Sequence, residues 1–190
     1  MERLRARTLL RDAITIHTLE DIRDHVQEVR EAARKAHEWI AQQSGDPIEF
    51  LKSVKFEKKG YHPVTHHPLN LIEQVNQTWT YLVALKATEI LLERHSDAGG
   101  FTLAPGASAS QELDIMSIRC GLVGAETFAA TSPRSNGKLV KDMGKMENRS
   151  EKYRYIFFAC PQDRYKETQR HSIHEKPGIE VWSLDIAESR

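Results

Sequence analysis

Residues 112–141 read ELDIMSIRCGLVGAETFAATSPRSNGKLVK, and their reading decides the fold. Two strand-like runs each carry an acid among apolar residues, Asp114 in the first and Glu126 in the second. A loop follows, and then a lysine-rich helix start at Lys138. The run 122–130, LVGAETFAA, has no other charge and is apolar on both faces, as a central strand should be. An ionised carboxylate there needs a partner, because burying an unpaired charge is strongly unfavourable. Strand side chains alternate, so Glu112 and Asp114 share one face; if the two strands are neighbours, Asp114 and Glu126 come close together. Paired carboxylates repel, and one takes up a proton unless a cation stands between them. Mg²⁺ accepts such a set: a few carboxylates, a carbonyl and retained waters. The spacing leaves a second arrangement open, in which both acids lie at strand ends in water or pair with Arg119 or Arg154.

Upstream the period is helical. Ile72, Val75, Trp79, Leu82, Val83, Ala87, Ile90 and Leu91 predict an apolar helix face over 68–95, with Glu73, Gln77 and Thr80 as a polar line beside it. Asp97-Ala98-Gly99-Gly100 stops that helix, and Phe101–Leu103 reads as a first strand. Further back, Leu19, Ile22, Val26, Val29, Ala33, Ala36 and Ile40 fall on one stripe, with Thr18 and Asp21 as a capping box. This stripe suits a dimer contact, a helical hairpin or packing against the chain's own core. Asp46-Pro47-Ile48-Glu49 starts a second helix over 47–54, and 56–67 reads as a loop. Downstream, Ser135 or Asn136 should cap a helix over 137–146, and YRYIFFAC (153–160) is a strand buried on both faces. A short helix over 162–169 and a final edge strand over 179–184 complete the expected order.

Composition bounds the class. A length of 190 residues allows one full domain with an appendage, divided as an N-terminal helical region, 1–60, and an α/β core, 61–190. With 28% charged and 39% hydrophobic residues, the chain fits neither a disordered nor a membrane protein. No apolar run approaches the ~18 residues that span a bilayer. The start MERLRARTLLRD lacks the apolar core of a signal peptide, so a cytoplasmic address is expected. Cys120 and Cys160 both read as buried thiols. Formal net charge is zero, which argues against a dedicated nucleic-acid coat, yet residues 134–176 hold eleven Lys/Arg against six Asp/Glu. His62, His66 and His67 cluster without finger spacing, and the chain has no Walker loop, GxGxxG or nucleophile elbow.

The order helix, three strands, helix, strand, with Asp on the second strand and Glu on the third, resembles the PD-(D/E)xK nuclease superfamily over about half the chain (68–160). The resemblance implies a restriction-endonuclease-like core (αβββαβ) with a mixed central sheet flanked by helices. It implies a Mg²⁺-dependent endonuclease on DNA, with Mn²⁺ able to substitute and with Asp114 and Glu126 as metal ligands. In the family a lysine two residues past the Glu positions or activates the attacking water. Phe128 stands there instead, and the resemblance carries that role to Lys138 or Lys141 on the following helix. The preceding helix would contribute Glu73 as an assisting acid. Lys138, Lys141, Asp142 and Lys145 share a helix face, so Lys145 is a candidate DNA contact. Asn136, at a helix start, and Ser110, in a loop of small residues, are two more. Cutting both strands of a duplex takes two cuts; a symmetric homodimer can supply two active sites, with the N-terminal helix as its contact. Two rivals remain: an inactive nuclease-fold protein that binds DNA or a protein, and an unrelated α/β domain in which Glu126 is exposed.

Overall fold

The computed structural model describes residues 13–106 and 111–186. The chain runs β1 (Ile14–Ile16), α1 (Leu19–Ala41), α2 (Pro47–Phe56), β2 (Gly60–Tyr61), β3 (Pro68–Leu69), α3 (Leu71–Arg94), β4 (Phe101–Leu103), β5 (Ile115–Ser117), β6 (Val123–Ala129), α4 (Lys138–Glu147), β7 (Tyr153–Ala159), β8 (Gln169–Arg170) and β9 (Ile179–Ser183). Seven strands form one mixed sheet in the order β1-β4-β5-β6-β7-β9-β8, so the chain is α/β as expected. β1, β4, β5 and β6 pair antiparallel, β6, β7 and β9 parallel, and β8 antiparallel to β9.

Strand alternation sorts the core into two clusters. One holds Val123, Ala125, Tyr155 and Phe157 with α3, while the other holds Phe128, Ile156 and Phe158 with Met143 and Met146 of α4. The sheet therefore lies between α3 and α4. Asn70 caps α3: its Oδ1 accepts from Glu73 N at 2.8 Å, and Glu73 Oε2 accepts from Asn70 N at 3.4 Å. In α1, Thr18 Oγ1 accepts from Asp21 N at 3.1 Å and Asp21 Oδ2 from Thr18 N at 2.9 Å, the expected capping box.

The N-terminal helix is no appendage. Ile22 and Val29 enter the same core cluster as α3 and the sheet, with Val26 packed against it. Gln74 ties three elements: its Nε2 donates to Ala32 O of α1 at 2.7 Å and its Oε1 accepts from Tyr61 N of β2 at 2.9 Å. The middle of the stripe thus packs within its own chain, while its two ends, Leu19 and Ile40, stay exposed. By contrast, α2 buries none of its side chains.

Several boundaries differ from the sequence expectations. β5 is shorter than 112–117, because residues 112–114 bend out of the ladder. β1 had no sequence signal; three residues find their place only by pairing with β4. Over 162–169 only a 3-10 turn forms, at Asp163–Tyr165, with Tyr165 buried. The segment beyond it extends into β8, which covers β9, so the last long strand is not an edge. Neither Ser135 nor Asn136 caps α4 through its side chain; Gly137 is the N-cap, and Asn136 (φ 54°) and Gly137 (φ 63°) are both left-handed. Cys120 is exposed, since it sits in the tight turn before the left-handed Gly121, whereas Cys160 is buried. No described helix is long and apolar enough to cross a membrane.

Candidate active site

The two acids of the quoted stretch meet because β5 and β6 are neighbours. Ile115 pairs with Ala125 and Met116 with Gly124, so the register carried one residue further sets Asp114 across from Glu126. Gly124 makes the bend before β5 possible: a Cβ there would lie 2.4 Å from Leu113 Cδ1 and 3.1 Å from Glu151 Cγ. Without that side chain, Leu113 folds over β6 into the α4-side cluster and Asp114 follows into the site. The ladder of β5 ends at Ile115, and the Asp114 carboxylate takes over. Its Oδ2 accepts from Thr127 N at 2.8 Å and from Thr127 Oγ1 at 3.1 Å. Glu112, on the strand end expected to share Asp114's face, pairs instead with Arg149, which also holds Glu151.

Glu126 is 2% exposed and shares the α4 side of β6 with Phe128. Its Oε1 accepts from Lys145 Nζ at 2.6 Å. Two turns back, Lys138 Nζ donates to Asp142 Oδ1 at 2.6 Å and lies 6.0 Å from the Phe128 ring centre. Asp142 is 3% exposed, and its Oδ2 has no hydrogen-bond partner among the described residues. Phe128 stacks on Phe158 at 5.5 Å, so the position two residues past Glu126 is filled by core packing.

Crowding of these acids governs their titration. Burial, and then the charge of Asp114, push Glu126 up to about 7, and the Lys145 ammonium only partly opposes this. Burial also raises Asp114 against the two Thr127 hydrogen bonds, and raises Asp142 against its bond to Lys138. Burial pulls Lys138 down, but the bond to Asp142 and the nearby carboxylates outweigh it and leave the ammonium raised. Desolvated, mutually repelling carboxylates with lysines beside them in a cleft make this a candidate functional centre.

The acids lie at the floor of a cleft of about 1160 Å³. Lys138, Lys141 and Lys145 line one side of it, with Lys141 exposed at the surface. α3 contributes Asn76, Trp79 and Thr80 to the lining of the cleft. Asn136 also lines the cleft and is exposed, whereas Ser110 lies outside the described residues. Glu73 is not brought to this site; its carboxylate belongs to the α3 cap. Among the described residues no group of three or more His, Cys, Asp or Glu converges on one point. Asp114 and Glu126 are two carboxylates on neighbouring strands, and burial together with their mutual repulsion raises Glu126 to about 7 even with the Lys145 ammonium beside it.

Sequence reasoning found both acids and the lysine face but gave Lys145 to DNA, although Lys145 is the residue that touches Glu126. It missed Thr127 as the anchor of Asp114, since a Thr in a strand carries no such signal. Asp142 was noted on the lysine face without a role. No family model matches the chain, and no curated protein or solved structure gives a significant match.

Proposed function

We propose that the protein is a metal-dependent endonuclease that hydrolyses phosphodiester bonds in DNA on a restriction-endonuclease-like core formed by α3, β4, β5, β6, α4 and β7. The observation that supports it most is the pairing of Asp114 with the buried Glu126 under a lysine-bearing helix at the floor of a large cleft. Asp114 and Glu126 would hold Mg²⁺ or Mn²⁺, which supplies Lewis-acid stabilisation of the phosphoryl oxygens and a more acidic bound water. Thr127 fixes the Asp114 carboxylate through two hydrogen bonds, so the site is built in advance of substrate. Lys145 takes the role of the family lysine in this reading: its ammonium, already at Glu126, orients the attacking water and holds developing charge. Asp142 pins Lys138, and Lys141 at the cleft side meets phosphate.

An inactive nuclease-fold protein that binds DNA or a protein is the second reading. It is favoured by Phe128 in the lysine position and by the two lysines that face the acids, which are already paired, Lys145 with Glu126 and Lys138 with Asp142. Incubation of plasmid and of circular single-stranded DNA with Mg²⁺ separates the two. Cleavage that is lost in Asp114→Ala and in EDTA supports the nuclease; equal cleavage by Asp114→Ala removes it. Absence of cleavage by a folded protein that still binds Mn²⁺ supports the second reading.

A further inference from the structure

We propose that the cleft admits a single nucleic-acid strand, with a base stacked on Trp79 while the adjoining phosphate faces Lys145 and the two carboxylates. The proposal rests on the nuclease reading of the same site and names its substrate class. Glu126 and Asp114 are only 2% and 8% exposed, so a scissile phosphate reaches them by entering the cleft. At about 1160 Å³ the cleft exceeds the ~300–1,000 Å³ typical of small-molecule sites. Its walls differ in kind. Lys141, Lys145 and Lys166 supply cations, whereas Ala130, Pro161 and Ile186 supply apolar surface. Trp79 stands on α3 within this wall with 48% of its surface exposed, one turn from Asn76 and beside Thr80.

An intact duplex hides its base faces and offers phosphates and groove edges, so an aromatic and apolar wall beside lysines has little to meet on it. A single strand displays base faces and phosphates side by side, which is the pattern these walls complement. The deep acids and the exposed indole therefore describe one substrate.

The test is binding without turnover. Full-length protein in EDTA is titrated with a short single-stranded DNA, the same sequence as RNA, and a blunt duplex, at one salt concentration. Tryptophan fluorescence and anisotropy of a labelled strand are both read. The expected result is quenching by the single strand at least tenfold tighter than by the duplex, with the Trp79 contribution missing in Trp79→Phe. Trp79→Ala should weaken single-strand binding by about five- to hundredfold, as loss of one stacked base does, with its far-UV spectrum unchanged. Comparable RNA binding supports the shared strand chemistry; DNA preference supports it and adds the sugar. Duplex binding as tight as single-strand binding, or Trp79→Ala binding unchanged, overturns it. Strand binding without Mg²⁺-dependent cleavage would remove the nuclease reading alone. Cleavage of duplex by Trp79→Ala at the parental rate would remove this proposal alone.

Discussion

Replacing Glu126 by Gln should make the protein more stable and functionless at once. Glu126 is 2% exposed, and its carboxyl sits at about 7 against an ordinary value of 4.5, chiefly through burial and then through the charge of Asp114. Between those two values the folded protein keeps a proton that the unfolded chain has released, so stability falls as pH rises. At ~1.36 kcal/mol per pH unit, the interval amounts to about 3 kcal/mol, lost by the time pH exceeds 7. Asp114 and Asp142, raised by burial, act in the same direction from lower pH. His95, His171 and His174, lowered by burial, act the other way and add stability as pH rises toward 6.5. The difference between parent and variant cancels the histidines and reports Glu126 together with its coupling to Asp114 and Asp142. Urea unfolding at pH 5, 6, 7 and 8 should therefore show near parity at pH 5 and an advantage of about 3 kcal/mol for Glu126→Gln at pH 8. A variant that is less stable than the parent at pH 8, or a difference that does not change with pH, refutes this reasoning.

Three further outcomes follow from the geometry. Lys145→Met should abolish Mg²⁺-dependent cleavage in a plasmid assay and leave the fold intact, whereas Lys141→Met should weaken DNA binding only, because Lys145 alone of the pair bonds Glu126. Glu73→Ala should leave cleavage and Mn²⁺ affinity unchanged and lower unfolding stability by up to about 1 kcal/mol, the effect of losing half of a capping box. Gly124→Ala should destabilise by about 1–3 kcal/mol in thermal unfolding, since its methyl would meet Leu113 at 2.4 Å, and should displace Asp114 with it.

What the sequence carried was mostly periodicity under burial. β7 was legible because YRYIFFA is apolar at successive positions and is buried on both faces between β6 and β9. α3 was legible from its stripe, and Asp114 and Glu126 from acids in runs that otherwise want to be dry. The choice among Lys138, Lys141 and Lys145 was not legible. It depends on the roll of α4 over the sheet, which Met143 and Met146 fix by entering the core beside Ile156 and Phe158. β1 and β8, of three and two residues, have no pattern of their own and exist through pairing with β4 and β9. Trp79 illustrates the opposite error: its spacing placed it on the buried face of α3, but the first turns of α3 bury Leu71 and Gln74 instead, Gln74 against α1. The N-terminal half of α3 leaves Ile72, Val75 and Trp79 exposed while Leu85 and Leu91 are fully buried.

Mn²⁺ titration calorimetry at pH 7 on the parent, Asp114→Asn and Glu126→Gln tests the metal centre most directly. One site in the parent is expected, with binding accompanied by release of the proton that Glu126 holds near neutrality and lost in both variants. A parent that binds no Mn²⁺, or variants that bind it as the parent does, would contradict the assignment of Asp114 and Glu126 as a metal-binding pair.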